Sequence, residues 1–185
     1  MPLKTLQEPH IGLAAPQSPP WTVGIRPYQL DAARWLQEPP GRGRLLALTP
    51  GLGKTLCAIA ALRIRCDKGQ LDSAIPVITT AIARSDWQRE VTRWWPEARV
   101  HVMRVDGVEY RKKGEAKEVF SERRKAAWVR ALTAADKPTF LVASYESVRD
   151  LHDASIEHSL LFDTLVLDEA HTLKKSSNVT AILAR

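Results

Sequence analysis

The chain has 185 residues, 44% hydrophobic and 26% charged, which suits one globular domain with a buried core rather than a disordered or fibrous protein. No apolar run approaches the ~20 residues of a bilayer-spanning helix, and the MPLKTLQEPH start has no apolar segment behind a basic one, so neither a membrane span nor a secretion signal is expected. A net charge of +6 favours polyanionic partners or simply aids solubility, and four of those six charges fall between Arg104 and Arg130.

In chain order, residues 1–22 carry five of the twelve prolines and no periodicity, which reads as a flexible arm, with order expected from about Ile25. A helix is expected over RPYQLDAARWLQ, where Tyr28, Ala32, Trp35 and Leu36 share one face; Pro27 suits its first turn and Pro39-Pro40 ends it. Arg44–Leu48 is a short apolar run, read as a strand, that leads into TPGLGKT. The next stretch, Thr55–Leu62, is apolar nearly all round and predicts a buried helix. Cys57 and Cys66 lie on that predicted helix nine residues apart, a spacing for neither a disulfide nor a CxxC metal site. They read as small buried hydrophobes in a reducing, cytoplasmic setting.

Ala74–Thr79 predicts a second buried strand, with Pro76 expected near its start because proline is awkward in a central strand. In SDWQREVTRWW, Ser85 and Gln88 have capping-box spacing, and Trp87, Val91, Trp94 and Trp95 form one apolar stripe ended by Pro96. That helical spacing marks the tryptophans as core rather than base-stacking platforms. Strands are expected at about 100–105, 139–143 and 164–167, with a basic helix over about 115–132. The basic stretch Arg111–Lys125, including Lys112, Lys113, Arg123 and Arg124, suits either a phosphate backbone or a solvated mixed-charge face. Alternating strands and helices predict an α/β fold, a parallel sheet with helices on both faces in three layers.

Two motifs carry chemistry. GLGKT, Gly51–Thr55, sits between a predicted strand and a predicted helix, the setting in which a P-loop has physical meaning. Gly51 and Gly53 permit the sharp turn that aims backbone N–H groups and a helix N-terminus at phosphates. Lys54 supplies charge for the β- and γ-phosphates, and Thr55 a hydroxyl for Mg²⁺. The generic motif starts with glycine where this chain has Leu48. LVLDEAH, Leu165–His171, places Asp168 and Glu169 at the end of an apolar strand, near where the P-loop of a parallel sheet also lies. Asp168 fits a magnesium-holding role and Glu169 that of a base on the attacking water.

RPYQ (Arg26–Gln29), GLGKT and DEAH (Asp168–His171), in this order, resemble the first RecA-like lobe of superfamily-two helicases and translocases, most of all the Swi/Snf group. The resemblance implies an ATP site formed by Arg26, Tyr28, Gln29, Pro50, Gly51, Leu52, Gly53, Lys54 and Thr55, with the Gln29 amide reading adenine. It implies that His171 couples nucleotide state to nucleic acid. It also implies nucleic-acid contacts from Thr79 and Thr80, where Thr80 replaces a usual proline, and from Ser144 and Tyr145 in SYES; Lys112 and Lys113 of the basic stretch are added as candidates. DWQREVTRWWP is similar to the family's helix with Trp87, Glu90 and Trp94 in place, and Lys174-Lys175 stand where the group has Lys-Asn. The implied partners are duplex DNA and a second RecA-like lobe. On this reading residues 23–185 are one lobe, ending before motif III, so the chain is half of a two-lobed motor or a piece of a longer protein. Two other readings stay open: a stand-alone ATP- or DNA-binding module, and a P-loop enzyme of another kind.

Overall fold

The computed structural model describes residues 19–37, 43–71, 74–103, 112–133, 137–157 and 164–171. Most of the expected N-terminal arm and Lys174-Lys175 lie outside the described residues. Helices α1 (Pro27–Trp35), α2 (Lys54–Asp67), α3 (Arg84–Trp94), α4 (Lys117–Thr133) and α5 (Val148–Glu157) accompany strands β1 (Ala74–Thr79), β2 (Arg99–Val102), β3 (Thr139–Ser144) and β4 (Val166–Leu167). The four strands form one parallel sheet in the order β2-β3-β1-β4.

Side chains alternate across a strand, and here both faces are apolar. Ile75 and Val77 of β1 and Phe140 and Val142 of β3 pack with Ile59 and Leu62 of α2, Trp87 and Val91 of α3, and Trp95 just past its end. Ile78, Leu141 and Ala143 face the other way, onto Met103, Trp128 of α4 and Val148 of α5. Each fully buried large side chain contributes about 1.5–3 kcal/mol of transfer free energy, and the Trp95 and Phe140 rings add an edge-to-face contact at 5.7 Å and 81°. The expected three-layer α/β architecture is present.

The sheet order brings the ends of β1 and β4 side by side. β1 lies between β3 and β4, in register Val77↔Val166 and Ile78↔Leu167, and the Asp168 N–H continues the ladder by donating to the Ile78 carbonyl at 2.8 Å. Residues that leave the carboxyl ends of these two strands therefore meet.

Several local expectations change. The 3₁₀ turn Pro20–Thr22 already belongs to the folded body: Trp21 stacks near the Arg63 guanidinium at 5.0 Å and donates Nε1–H to Asp67 at 3.1 Å. On α1 the buried positions are Gln29 and Ala33, not Tyr28 and Trp35, which are exposed. The helix docks through Ala33 onto Ala60 and Ala61 of α2, where small side chains allow close approach. Pro76 is the third residue of β1, opposite Leu141, and the described pairing with β4 starts one residue later. Ser85 does not cap α3, which starts at Arg84; its hydroxyl donates to the Ile82 carbonyl at 3.4 Å. Arg44–Leu48 pairs with no strand among the described residues, and a cavity of about 1400 Å³ lies between it and β4. A strand is defined by its ladder, so an apolar run without a neighbour is extended chain only.

Candidate nucleotide site

The turn into α2 is built on two glycines. Gly51 and Gly53 have φ of +85° and +78°, left-handed values that other residues adopt at a cost of about 1–2 kcal/mol. At Gly53 space is also short: a Cβ there would lie 2.5 Å from Gln29 Nε2. The turn delivers the chain to Lys54, the first residue of α2, so the open N–H groups of the helix N-terminus follow directly. Lys54 Nζ donates to the Leu48 carbonyl at 3.3 Å, folded back along the segment that precedes the turn.

Across the same cavity stand the residues after β4. Pro50, Lys54, Thr55, Asp168, Glu169 and His171 all line it. The Asp168 carboxylate is held firmly: Oδ2 accepts from the Thr79 hydroxyl and from the Trp87 indole N–H, each at 2.9 Å, and Oδ1 accepts from the Glu169 N–H at 3.0 Å. The Asp168 carbonyl in turn accepts from the Tyr145 hydroxyl at 2.6 Å. Glu169 has φ +52°, the one non-glycine left-handed residue among those described, and such strain concentrates at functional sites. His171 Nδ1 lies 3.1 Å from Glu169 Oε2, with both side chains largely open to solvent.

This donor set suits a hard divalent cation. Thr55 offers a hydroxyl and Asp168 a carboxylate, the oxygen ligands that Mg²⁺ takes. A carboxylate accepts about four hydrogen bonds, and the three donors on Asp168 leave acceptor capacity for a metal or its water.

Tyr28 and Gln29 reach the turn rather than the cavity, and Arg26 is tied to Gln29. Gln29 Nε2 donates to the Leu52 carbonyl at 3.1 Å, Tyr28 Oη donates to the same carbonyl at 3.2 Å, and Gln29 Oε1 accepts from the Arg26 N–H at 3.0 Å. The Gln29 amide, buried and bonded at both ends, steadies the glycine turn; an adenine edge would have to replace these bonds.

The expected nucleic-acid residues divide. Thr79 and Ser144 are buried, at 0% and 1% exposure, so their side chains are not surface contacts. Both end strands of a sheet covered on two sides, and the Thr79 hydroxyl is turned to Asp168. Thr80 is half-buried with Oγ1 accepting from the Ala83 N–H at 3.4 Å, and the Tyr145 hydroxyl is committed to Asp168. Lys112 and Lys113 are exposed. The rest of the basic segment is largely paired within the chain. Arg123 meets Glu115 with two N–H groups at 2.9 and 3.0 Å, holding that carboxyl below the usual range, and Lys125 bridges Glu122 and Glu157. Arg124 is buried, and with Arg84 its charge helps to keep the Glu146 carboxyl low, after a hydrogen bond from Ser144. Burial raises the Cys57 thiol, as expected of a packed hydrophobe.

Sequence reasoning missed Trp87 as a partner of Asp168. Its apolar stripe announced burial, and nothing in the local pattern signals a bond across 81 residues.

Among curated proteins, the chain is 26% identical over 172 residues to the ISWI chromatin-remodeling complex ATPase ISW1 of Saccharomyces cerevisiae, covering 91% of this chain and 14% of that protein. It is 29% identical over 146 residues to the DNA excision repair protein ERCC-6-like of Bos taurus, covering 78% and 10%. The chain thus spans a small part of the relatives it matches. Among solved structures, the Sulfolobus solfataricus SWI2/SNF2 ATPase core in complex with dsDNA shares the fold at a TM-score of 0.59 and 19% identity, over 86% of this chain and 29% of that one. The SNF2-related domain model matches residues 28–184, so the chain, in which Lys54 and Thr55 line one cavity with the acidic pair, belongs to the SNF2-related domain family.

Proposed function

We propose that this chain is the ATP-binding lobe of a DNA-dependent ATPase, coupling ATP hydrolysis to movement on duplex DNA. The observation that carries the reading is the single cavity in which Lys54 and Thr55 face Asp168, Glu169 and His171. The glycine turn and the N-terminus of α2 bind the phosphates, and Lys54 leaves the Leu48 carbonyl to meet the β- and γ-oxygens. Thr55 and Asp168 would hold Mg²⁺, which neutralises phosphate charge when bound. Glu169, exposed and set apart from the strand by its left-handed backbone, orients and deprotonates the attacking water. His171 pairs with that base and links it to the surface beyond. Gln29 reads an adenine by exchanging its bond to the Leu52 carbonyl for the base edge, while Tyr28 keeps its own bond to that carbonyl.

The net positive charge suits a polyanionic partner, and the Sulfolobus solfataricus SWI2/SNF2 core that shares the fold was solved with duplex DNA. Tyr145 sits one bond from Asp168, so a partner that engages this segment would also act on the hydrolytic site. A second RecA-like lobe, in cis or in trans, completes the site with charges that stabilise the transferring phosphoryl group. The test is phosphate release with and without duplex DNA from the longest natural form of the protein. DNA stimulation that disappears in Lys54→Ala supports the reading, and ATP turnover indifferent to DNA refutes it.

A further inference from the structure

We propose that Trp87 is a positioning residue of the hydrolytic site, acting with Thr79 to fix the Asp168 carboxylate toward its metal. The proposal rests on the reading of Asp168 as the magnesium-holding residue.

The geometry separates this role from packing. Trp87 is buried among Val91, Trp95 and the sheet, as its helical stripe requires. Burial favours some acceptor for the indole N–H, but packing does not choose which one. Trp128 shows the contrast: it is equally buried, on the other face of the sheet, and its indole N–H has no partner among the described residues. Trp87 instead donates to Asp168 Oδ2 at 2.9 Å and is itself part of the cavity wall. Thr79, at the end of β1, donates to the same oxygen at 2.9 Å.

Two donors from different elements on one oxygen fix the carboxylate against rotation. The Glu169 N–H on Oδ1 adds a third point, so the plane of the group is set before any metal arrives. Supporting donors of this kind orient a ligand and typically change metal affinity by about 10–100-fold when removed. The arrangement also gives the buried Thr79 a purpose that a surface contact could not.

The test uses Trp87→Phe, which keeps an aromatic ring and removes the donor, and Thr79→Val, which keeps the shape and removes the hydroxyl. Binding of a fluorescent non-hydrolysable ATP analogue is titrated with Mg²⁺. Each variant should raise the Mg²⁺ midpoint about tenfold while analogue binding without metal stays unchanged, and Thr79→Ser should restore it. In a ¹⁵N-labelled protein, the indole resonance missing from Trp87→Phe should shift when Mg²⁺ joins the nucleotide. A Mg²⁺ midpoint within twofold of the parent in Thr79→Val, or an indole resonance unmoved by Mg²⁺, overturns the proposal. If Trp87→Phe fails to fold, the Thr79→Val midpoint still decides, and the Trp87 indole resonance is assigned through its own backbone in the parent. Asp168→Asn distinguishes the two levels: if it leaves the Mg²⁺ dependence intact, the metal-holding reading of Asp168 fails first, whatever Trp87 does.

Discussion

Replacing Gly53 with alanine tests the link between the RPYQ element and the glycine turn. The added Cβ would lie 2.5 Å from Gln29 Nε2, and alanine at φ +78° bears the left-handed cost of about 1–2 kcal/mol. The amide of Gln29 can swing away, so the clash is relieved by losing its bonds to the Leu52 carbonyl and the Arg26 N–H, each worth about 1 kcal/mol net. Gly53→Ala should therefore destabilise the fold by about 3 kcal/mol in urea denaturation. In a Gln29→Ala background the clash is gone, and the same change should cost only the backbone strain. The double-mutant cycle should then show a coupling of about 2 kcal/mol. Additivity within about 0.5 kcal/mol would refute the argument, because Gln29 would not be what occupies the space beside Gly53.

Glu169→Gln should bind Mg·ATP as the parent does and lose about 10²–10⁴-fold in phosphate release, measured in single turnover on the longest natural form; normal release would remove Glu169 as the base. Glu115 gives a pH-dependent stability term. Arg123, and then the Lys112 N–H, depress its carboxyl in the fold, so its contribution is present above the unfolded value of about 4.3 and is lost as pH falls through the folded value. Glu115→Gln should lower the melting temperature at neutral pH, with the gap to the parent narrowing as pH falls below about 4.3; a gap that stays constant or widens there would contradict the sign.

Much of the sheet was legible because its strands are buried on both faces. Ala74–Thr79 reads as an apolar run and forms β1 with those bounds, and the Trp87–Val91–Trp95 stripe packs as its spacing predicts. The acidic pair and the glycine turn were readable as chemistry, and the fold sets the pair on one cavity with Lys54 and Thr55, the residues that follow the turn. What escaped was relational. Arg44–Leu48 has the composition of a strand, but a ladder needs a neighbour that the run itself does not specify. The buried face of α1 is chosen by the alanines of α2, which leaves the bulkier Tyr28 and Trp35 outside, one bonded to Leu52 and the other under Arg44 at 4.8 Å. Thr79 and Ser144 resembled surface contacts by motif, yet they end strands of a covered sheet, and Thr79 holds a carboxylate 89 residues away.

The central claim is that Lys54, the glycine turn and Asp168 form one magnesium-dependent ATP site. Calorimetric titration of the chain with ATP, with and without Mg²⁺, tests it most directly. One ATP bound per chain, strengthened by Mg²⁺ and weakened at least about tenfold by Lys54→Ala as a charged hydrogen bond is lost, is the predicted result. Binding that is absent, or that Lys54→Ala leaves unchanged, would contradict it.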